Sequence, residues 1–233
     1  MMNRKAKLLY LHNELLKIYG RQNWWPADTP WEVCVGAVLT QNTNWKNVEK
    51  AISNLKKSEL LDEGQGSSKG GNTQENSHYY PEKILKTPLP ELAELIRPSG
   101  YYNSKAKKLH ALAEWWLKNT ENCELRRFLT LNHARTSLLD VYGVGPETAD
   151  SILLYAFNLP VFVIDTYTKR VSAEYLGTSL DIKYDELQNI YTDALPENTE
   201  LFNEFHALIV SLSKEKAWKT ILAAISNDYS VDK

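Results

Sequence analysis

Apolar residues recur at helical intervals along most of the chain. Between residues 3 and 19, Leu8, Leu11 or His12, Leu15, Leu16 and Tyr19 fall in step while lysine and asparagine fill the opposite face, which predicts an amphipathic helix stopped by Gly20. Thr29-Pro30-Trp31-Glu32 sets a capping threonine before a proline, with a glutamate three residues on, directly ahead of the apolar run Val33 to Leu39. That start signal makes the run a buried helix and not a strand. Val48, Ile52 and Leu55 carry a further helix over Trp45 to Leu61, and helical patterns resume over Pro90 to Ile96, Asn103 to Leu117 and Leu125 to Leu129. The one strand-like stretch, Val161 to Ile164, is too short and isolated to build a sheet, so the class is all-α. Asp62 to Ser77 contains no apolar residue and cannot offset its own ordering entropy. It predicts a disordered surface insertion over about residues 62–80.

Between Ala134 and Phe157 the pattern is helix, tight turn, helix. Leu138, Leu139 and Val141 lead into Tyr142-Gly143-Val144-Gly145, Pro146 opens the second helix, and Ala149, Ile152, Leu153 and Ala156 form its apolar face. Two glycines around one small apolar residue permit a sharp turn and leave amides open at the second helix's N-terminus, an arrangement suited to a phosphate. By spacing alone, an ordinary helix-helix connection explains the glycines equally well.

Bulk charge does not mark a nucleic-acid binder, because the formal net charge is -2 and the pI about 6.2. The distribution is uneven, however. Arg97 to Arg135 holds eight Lys/Arg against three Glu, whereas Asp181 to Glu204 holds seven acids and one Lys. No signal peptide is predicted, since the apolar run after the basic start is broken by His12, Asn13 and Glu14, and no stretch approaches the ~20 apolar residues of a membrane span. The cysteines Cys34 and Cys123 stand far apart among apolar residues, which predicts free thiols and a reducing, cytoplasmic compartment.

The segment LLDVYGVGPETADSILLYAFNLPVFVIDTYTKRV resembles the helix-hairpin-helix and Gly/Pro/Asp-loop signature of the endonuclease III superfamily of DNA glycosylases, and the spacing from Gly143 to Asp165 is similar to that family's. GAVLTQNTNW is similar to that family's segment with a gap-filling glutamine, and RPSGYYNSKAKKL to its wedge loop. With Trp24-Trp25-Pro26, the pattern most resembles the type III 3-methyladenine DNA glycosylases. The resemblance implies a bilobal helical fold: a six-helix-barrel lobe over 29–158 ending in the hairpin, and a second lobe from 1–28 with 159–233. It implies a monomer acting on damaged double-stranded DNA.

The resemblance makes Asp165 the catalytic carboxylate; as a residue ahead of Thr166-Tyr167-Thr168 it also suits a helix cap. A carboxylate there would stabilise the positive charge that builds on the sugar as the glycosidic bond breaks. Where bifunctional relatives carry a Schiff-base lysine this chain has Glu147, which cannot form an imine, so an intact strand with an abasic site is the expected product. No cysteine follows Cys123, so the four-thiolate iron-sulfur cluster of many superfamily members is not expected, leaving at most a monovalent cation at the hairpin.

Gln41 and Tyr101 take the gap-filling and wedge positions, although a surface amide and a core anchor are the ordinary roles of such residues. Lys105, Lys107 and Lys108 are candidates to face phosphates, as on any solvated helix face, and Gly143, Gly145 and Thr148 complete the DNA-binding set. Trp24, Trp25, Pro26 and Trp45 form the candidate base pocket, where aromatic faces would favour the positive charge of an alkylated purine. That charge also weakens the glycosidic bond, so one aspartate suffices. Two alternatives stay open: a glycosylase for an oxidised pyrimidine, a mismatch or uracil, and a non-catalytic DNA-binding hairpin module in which Asp165 only caps a helix.

Overall fold

A computed structural model describes residues 4–62, 76–120 and 131–231, and among these the regular structure is helical with no strand. The chain divides into two compact units, one of residues 1–24 with 158–233 and one of residues 25–157. The predicted helix at Leu125 to Leu129, and Cys123, lie outside the described residues.

In the unit of residues 25–157, α2 (Pro30–Leu39) is buried from Trp31 to Leu39 on every face, as a helix apolar at all of these positions but Glu32 must be. Thr29 caps it by accepting a hydrogen bond from the Glu32 amide, but the reciprocal half of the capping box is absent. The Glu32 carboxylate accepts instead from the Asp28 amide at 3.2 Å and pairs with Lys56 at 3.0 Å. α3 (Trp45–Lys57) ends before the expected Leu61, because Glu59 turns left-handed at φ +54° and the Leu60 amide returns to the Leu55 carbonyl at 2.8 Å. α4 (Asn76–Lys86) corrects the predicted insertion: residues 76–80 are its first turns, and 63–75 lie outside the described residues. α5 (Leu89–Leu95), a 3-10 turn at Arg97–Ser99 and α6 (Tyr102–Thr120) follow, then α7 (Leu131–Leu139) and α8 (Pro146–Tyr155). α8 packs on α2 and α7, and α6 packs on α2, α4 and α5.

The other unit contains α1 (Arg4–Tyr19), α9 (Thr166–Leu176), α10 (Tyr184–Ala194), α11 (Thr199–Lys214) and α12 (Trp218–Val231). Leu8, Leu11 and Leu15 of α1 are fully buried, and Phe162 stacks on Tyr191 with centroids 4.2 Å apart. The strand-like Val161 to Ile164 is buried without a ladder partner, so its backbone needs side chains. α10 supplies them: Gln188 donates to the Phe162 carbonyl at 2.7 Å, and the Tyr184 hydroxyl accepts from the Ile164 amide at 3.3 Å. This extended segment delivers Asp165 to the start of α9.

Candidate active site and hairpin

The hairpin between α7 and α8 turns at Gly143, whose φ of +79° suits glycine, and closes through Val144 N–H to the Val141 carbonyl at 3.0 Å. Arg135 of α7 grips the buried Asp150 of α8 with two bonds, at 2.7 and 3.2 Å, and fixes the two helices across the turn. Gly145 caps α8 with extended backbone and no side-chain bond, and a Cβ there would meet nothing within 4 Å. Gly145, Pro146 and Glu147 are exposed, so the N-terminus of α8 lies at the surface, as phosphate approach requires. The carbonyls of Val141 and Gly143 each accept a hydrogen bond, from Val144 and Gln41 respectively. No group of three or more His, Cys, Asp or Glu that could hold a metal occurs among the described residues. Glu147 is exposed in the first turn of α8, and Tyr142 is exposed at the hairpin tip.

Gln41 sits against this turn. Its Nε2 donates to the Gly143 carbonyl at 3.1 Å and to the buried Thr148 Oγ1 at 3.0 Å, and its Oε1 accepts from Lys108 at 2.6 Å. Thr148 is therefore committed to Gln41 and buried, so contact of its side chain with DNA is not available in this arrangement. Tyr101 is 72% exposed at φ +46°, next to Gly100 at +70°, and Asn42 beside Gln41 has φ +52°. A tyrosine held left-handed costs about 1–2 kcal/mol, a strain kept only where the surroundings enforce it.

Lys105 supplies part of that enforcement, which corrects its expected phosphate role. It is 2% exposed, and its ammonium donates to the carbonyls of Leu39 at 2.9 Å and Ser99 at 2.7 Å. One buried group thus ties the chain just before Gln41 to the chain just before Tyr101. Burial, with the charge of Lys108 nearby, lowers the Lys105 pKa to about 8. Lys107 is exposed, whereas Lys108 is half-buried.

Of the candidate pocket residues, Trp25 and Trp45 meet edge to face at 5.5 Å, and Trp25 also contacts Tyr155 at 5.4 Å. Gly36 allows this, because a methyl added there would lie 3.1 Å from the Trp25 ring. Trp45 donates its indole N–H to Glu49 at 2.9 Å, and with Pro26, Glu32 and Glu49 it lines a groove of about 460 Å³. Trp24 belongs to the other unit and is half-buried.

Asp165 caps α9, its Oδ1 accepting from the Thr168 amide at 2.7 Å. Its Oδ2 lies 3.5 Å from Nε2 of His206, a buried residue of α11 that the sequence reading missed. Burial opposes the carboxylate, but the His206 bond and charge and the Thr168 bonds outweigh it, so the pKa is lowered and the group is anionic at neutral pH. Burial pushes the neighbouring Tyr191 hydroxyl up, against its bond to Ser172 and with help from the Asp165 charge. The signal for His206 was a lone histidine in the apolar run Phe205 to Val210.

The arrangement, a two-glycine hairpin with a capping aspartate one helix and one extended segment further on, is that of a DNA repair family. The chain belongs to the HhH-GPD superfamily of base excision DNA repair proteins, whose pattern matches residues 35–197. It is 43% identical over 225 residues to a protein of Methanocaldococcus jannaschii assigned to the DNA repair glycosylases, covering 95% of this chain and 94% of the relative. Endonuclease III of Thermotoga maritima is 25% identical over 194 residues, 81% of this chain and 75% of the relative. The crystal structure of the H. pylori 3-methyladenine DNA glycosylase bound to 1,N6-ethenoadenine is similar at a TM-score of 0.70 and 31% identity, over 93% of this chain and 99% of that one.

Proposed function

We propose that this chain is a monofunctional DNA glycosylase that hydrolyses the N-glycosidic bond of a flipped alkylated purine, such as 3-methyladenine, and leaves an abasic site in an intact strand. The observation that carries the reading is Asp165: a largely buried carboxylate kept anionic by His206 and a helix N-terminus. In the reaction the C1′–N bond breaks with its electron pair going to the base, which leaves neutral because it began cationic. Water adds its oxygen to C1′ and releases one proton. Asp165 stabilises the oxocarbenium character of the sugar and is the acceptor for that proton. No acid is required for the leaving base, and none is assigned.

The substrate class is supported by the aromatic pair Trp25 and Trp45, of which Trp45 lines the groove together with Glu32, Glu49, Lys56 and Lys57. The acids and lysines of the groove balance in number, so it is the aromatic faces that favour a positively charged base over a neutral one. The missing lyase step is supported by Glu147, an exposed carboxylate where an amine would be needed.

The test is incubation of the protein with methylated duplex DNA and chromatographic identification of the free bases. Release of 3-methyladenine, with strands that break only after alkaline heating, is expected. Release of uracil or oxidised pyrimidine in its place would reassign the lesion. DNA binding without any released base would leave a binding module.

A further inference from the structure

Lys108 makes contacts that a phosphate-binding lysine does not need. Its stem lies across the hairpin glycine so closely that a Cβ on Gly143 would stand 2.5 to 2.6 Å from the Lys108 Cγ, Cδ and Cε. Its ammonium then meets Gln41 Oε1 at 2.6 Å, while the two hydrogens of the same amide go to the Gly143 carbonyl and Thr148 Oγ1. This pattern fixes the amide's orientation. With its oxygen and nitrogen exchanged, Gln41 would present N–H groups to an ammonium and its oxygen to a carbonyl oxygen, both repulsive.

We infer that Lys108 is a positioning residue that locks the Gln41 side chain onto the hairpin, so that Gln41 and the Gly143 turn, braced from beneath by Thr148, meet DNA as one preassembled piece. The DNA part of this inference rests on the proposed glycosylase reading, in which Gln41 fills the gap left by the extruded base. A long amide free to rotate would lose its rotamer freedom on insertion; one already held by three hydrogen bonds has lost it beforehand. The lock also links two events. The hairpin cannot dock on a backbone without carrying Gln41 with it, because Gln41 is bonded to the turn itself.

The discriminating variant is Lys108→Met, which keeps an unbranched stem against Gly143 and removes only the ammonium. In the free protein, the Gln41 side-chain amide resonances, assigned by their loss in Gln41→Ala, should be two well-separated, exchange-protected 15N-coupled signals in the wild type. They should shift and lose protection in Lys108→Met. On lesion-bearing duplex, the single-turnover excision rate at saturating enzyme should fall roughly tenfold. Affinity for undamaged duplex, in which no base is extruded and no gap is filled, should change less than twofold, and the salt dependence of binding should stay as in the wild type.

Unchanged Gln41 resonances in Lys108→Met would overturn the inference. So would a weakened Kd with a salt slope reduced by about one, the signature of a phosphate contact, or an excision loss explained entirely by a lowered Tm. A wild type that releases no base while its Gln41 signals respond as expected would sink the glycosylase reading and leave the lock standing.

Discussion

Replacing Lys105 with Met tests whether a buried ammonium holds the Gln41 and Tyr101 segments together. At neutral pH the substitution deprives two buried carbonyls, of Leu39 and Ser99, of their donor. Each unsatisfied group costs about 1–3 kcal/mol, offset in part because a desolvated charge disappears as well. The pH dependence is cleaner than the net value. The folded pKa is lowered from 10.5 to about 8, so between these values the unfolded chain binds more protons than the folded one, and stability rises with pH across that window. Wild-type stability should therefore increase by about 2 kcal/mol between pH 7 and 9.5 relative to Lys105→Met, at 1.36 kcal/mol per unit of pKa difference. Urea unfolding of both proteins at the two pH values measures this, and the other titrating groups cancel in the subtraction. Parallel stability curves would refute the reasoning, since they would mean that Lys105 titrates alike in the folded and unfolded chain.

The helix starts and the hairpin were legible in the sequence because their causes are local. Thr29 and Pro30 specify the start of α2 from adjacent positions, and Gly143 and Gly145 specify the turn by what they lack. The cap at Asp165 was legible from its place ahead of Thr166-Tyr167-Thr168, whereas its proposed role rests on the resemblance of the segment that carries it. Lys105, by contrast, bonds main-chain oxygens 66 and 6 residues away, and carbonyls carry no sequence signature. A lysine on α6 therefore looked like its solvated neighbour Lys107. His206 was hidden for a related reason, its partner Asp165 lying far earlier in the chain at the start of another helix. The first turns of α4 were obscured because Asn76 and Ser77 continue a polar run, and only the fold shows that the helix extends back into it. The stop of α3 at Lys57 depends on a left-handed glutamate, which composition does not announce.

Asp165→Asn separates capping from catalysis, because asparagine caps a helix as well as aspartate does: Tm should hold within a few degrees while excision falls at least about a hundredfold with DNA affinity retained. Unchanged turnover would reduce Asp165 to a cap. Borohydride trapping on abasic DNA should give no covalent adduct, since Glu147 offers no amine; a strong trapped band would show that another lysine reaches the sugar. Trp45→Leu probes the pocket. It keeps bulk but removes the aromatic face, the edge-to-face contact with Trp25 at 5.5 Å and the bond to Glu49. A cation-π contact of ~0.5–2 kcal/mol corresponds to a loss of roughly two-fold to thirty-fold in excision of a charged base. Release of a neutral base such as hypoxanthine should be far less affected, because it offers no cation to the ring. Trp45 is half-buried, so the stability cost should stay near the ~0.5–1.5 kcal/mol of a lost aromatic pair, below the ~3–5 kcal/mol of an emptied core tryptophan site. Severe destabilisation with unchanged activity per folded molecule would assign Trp45 to the core and leave the charge selectivity to other groups.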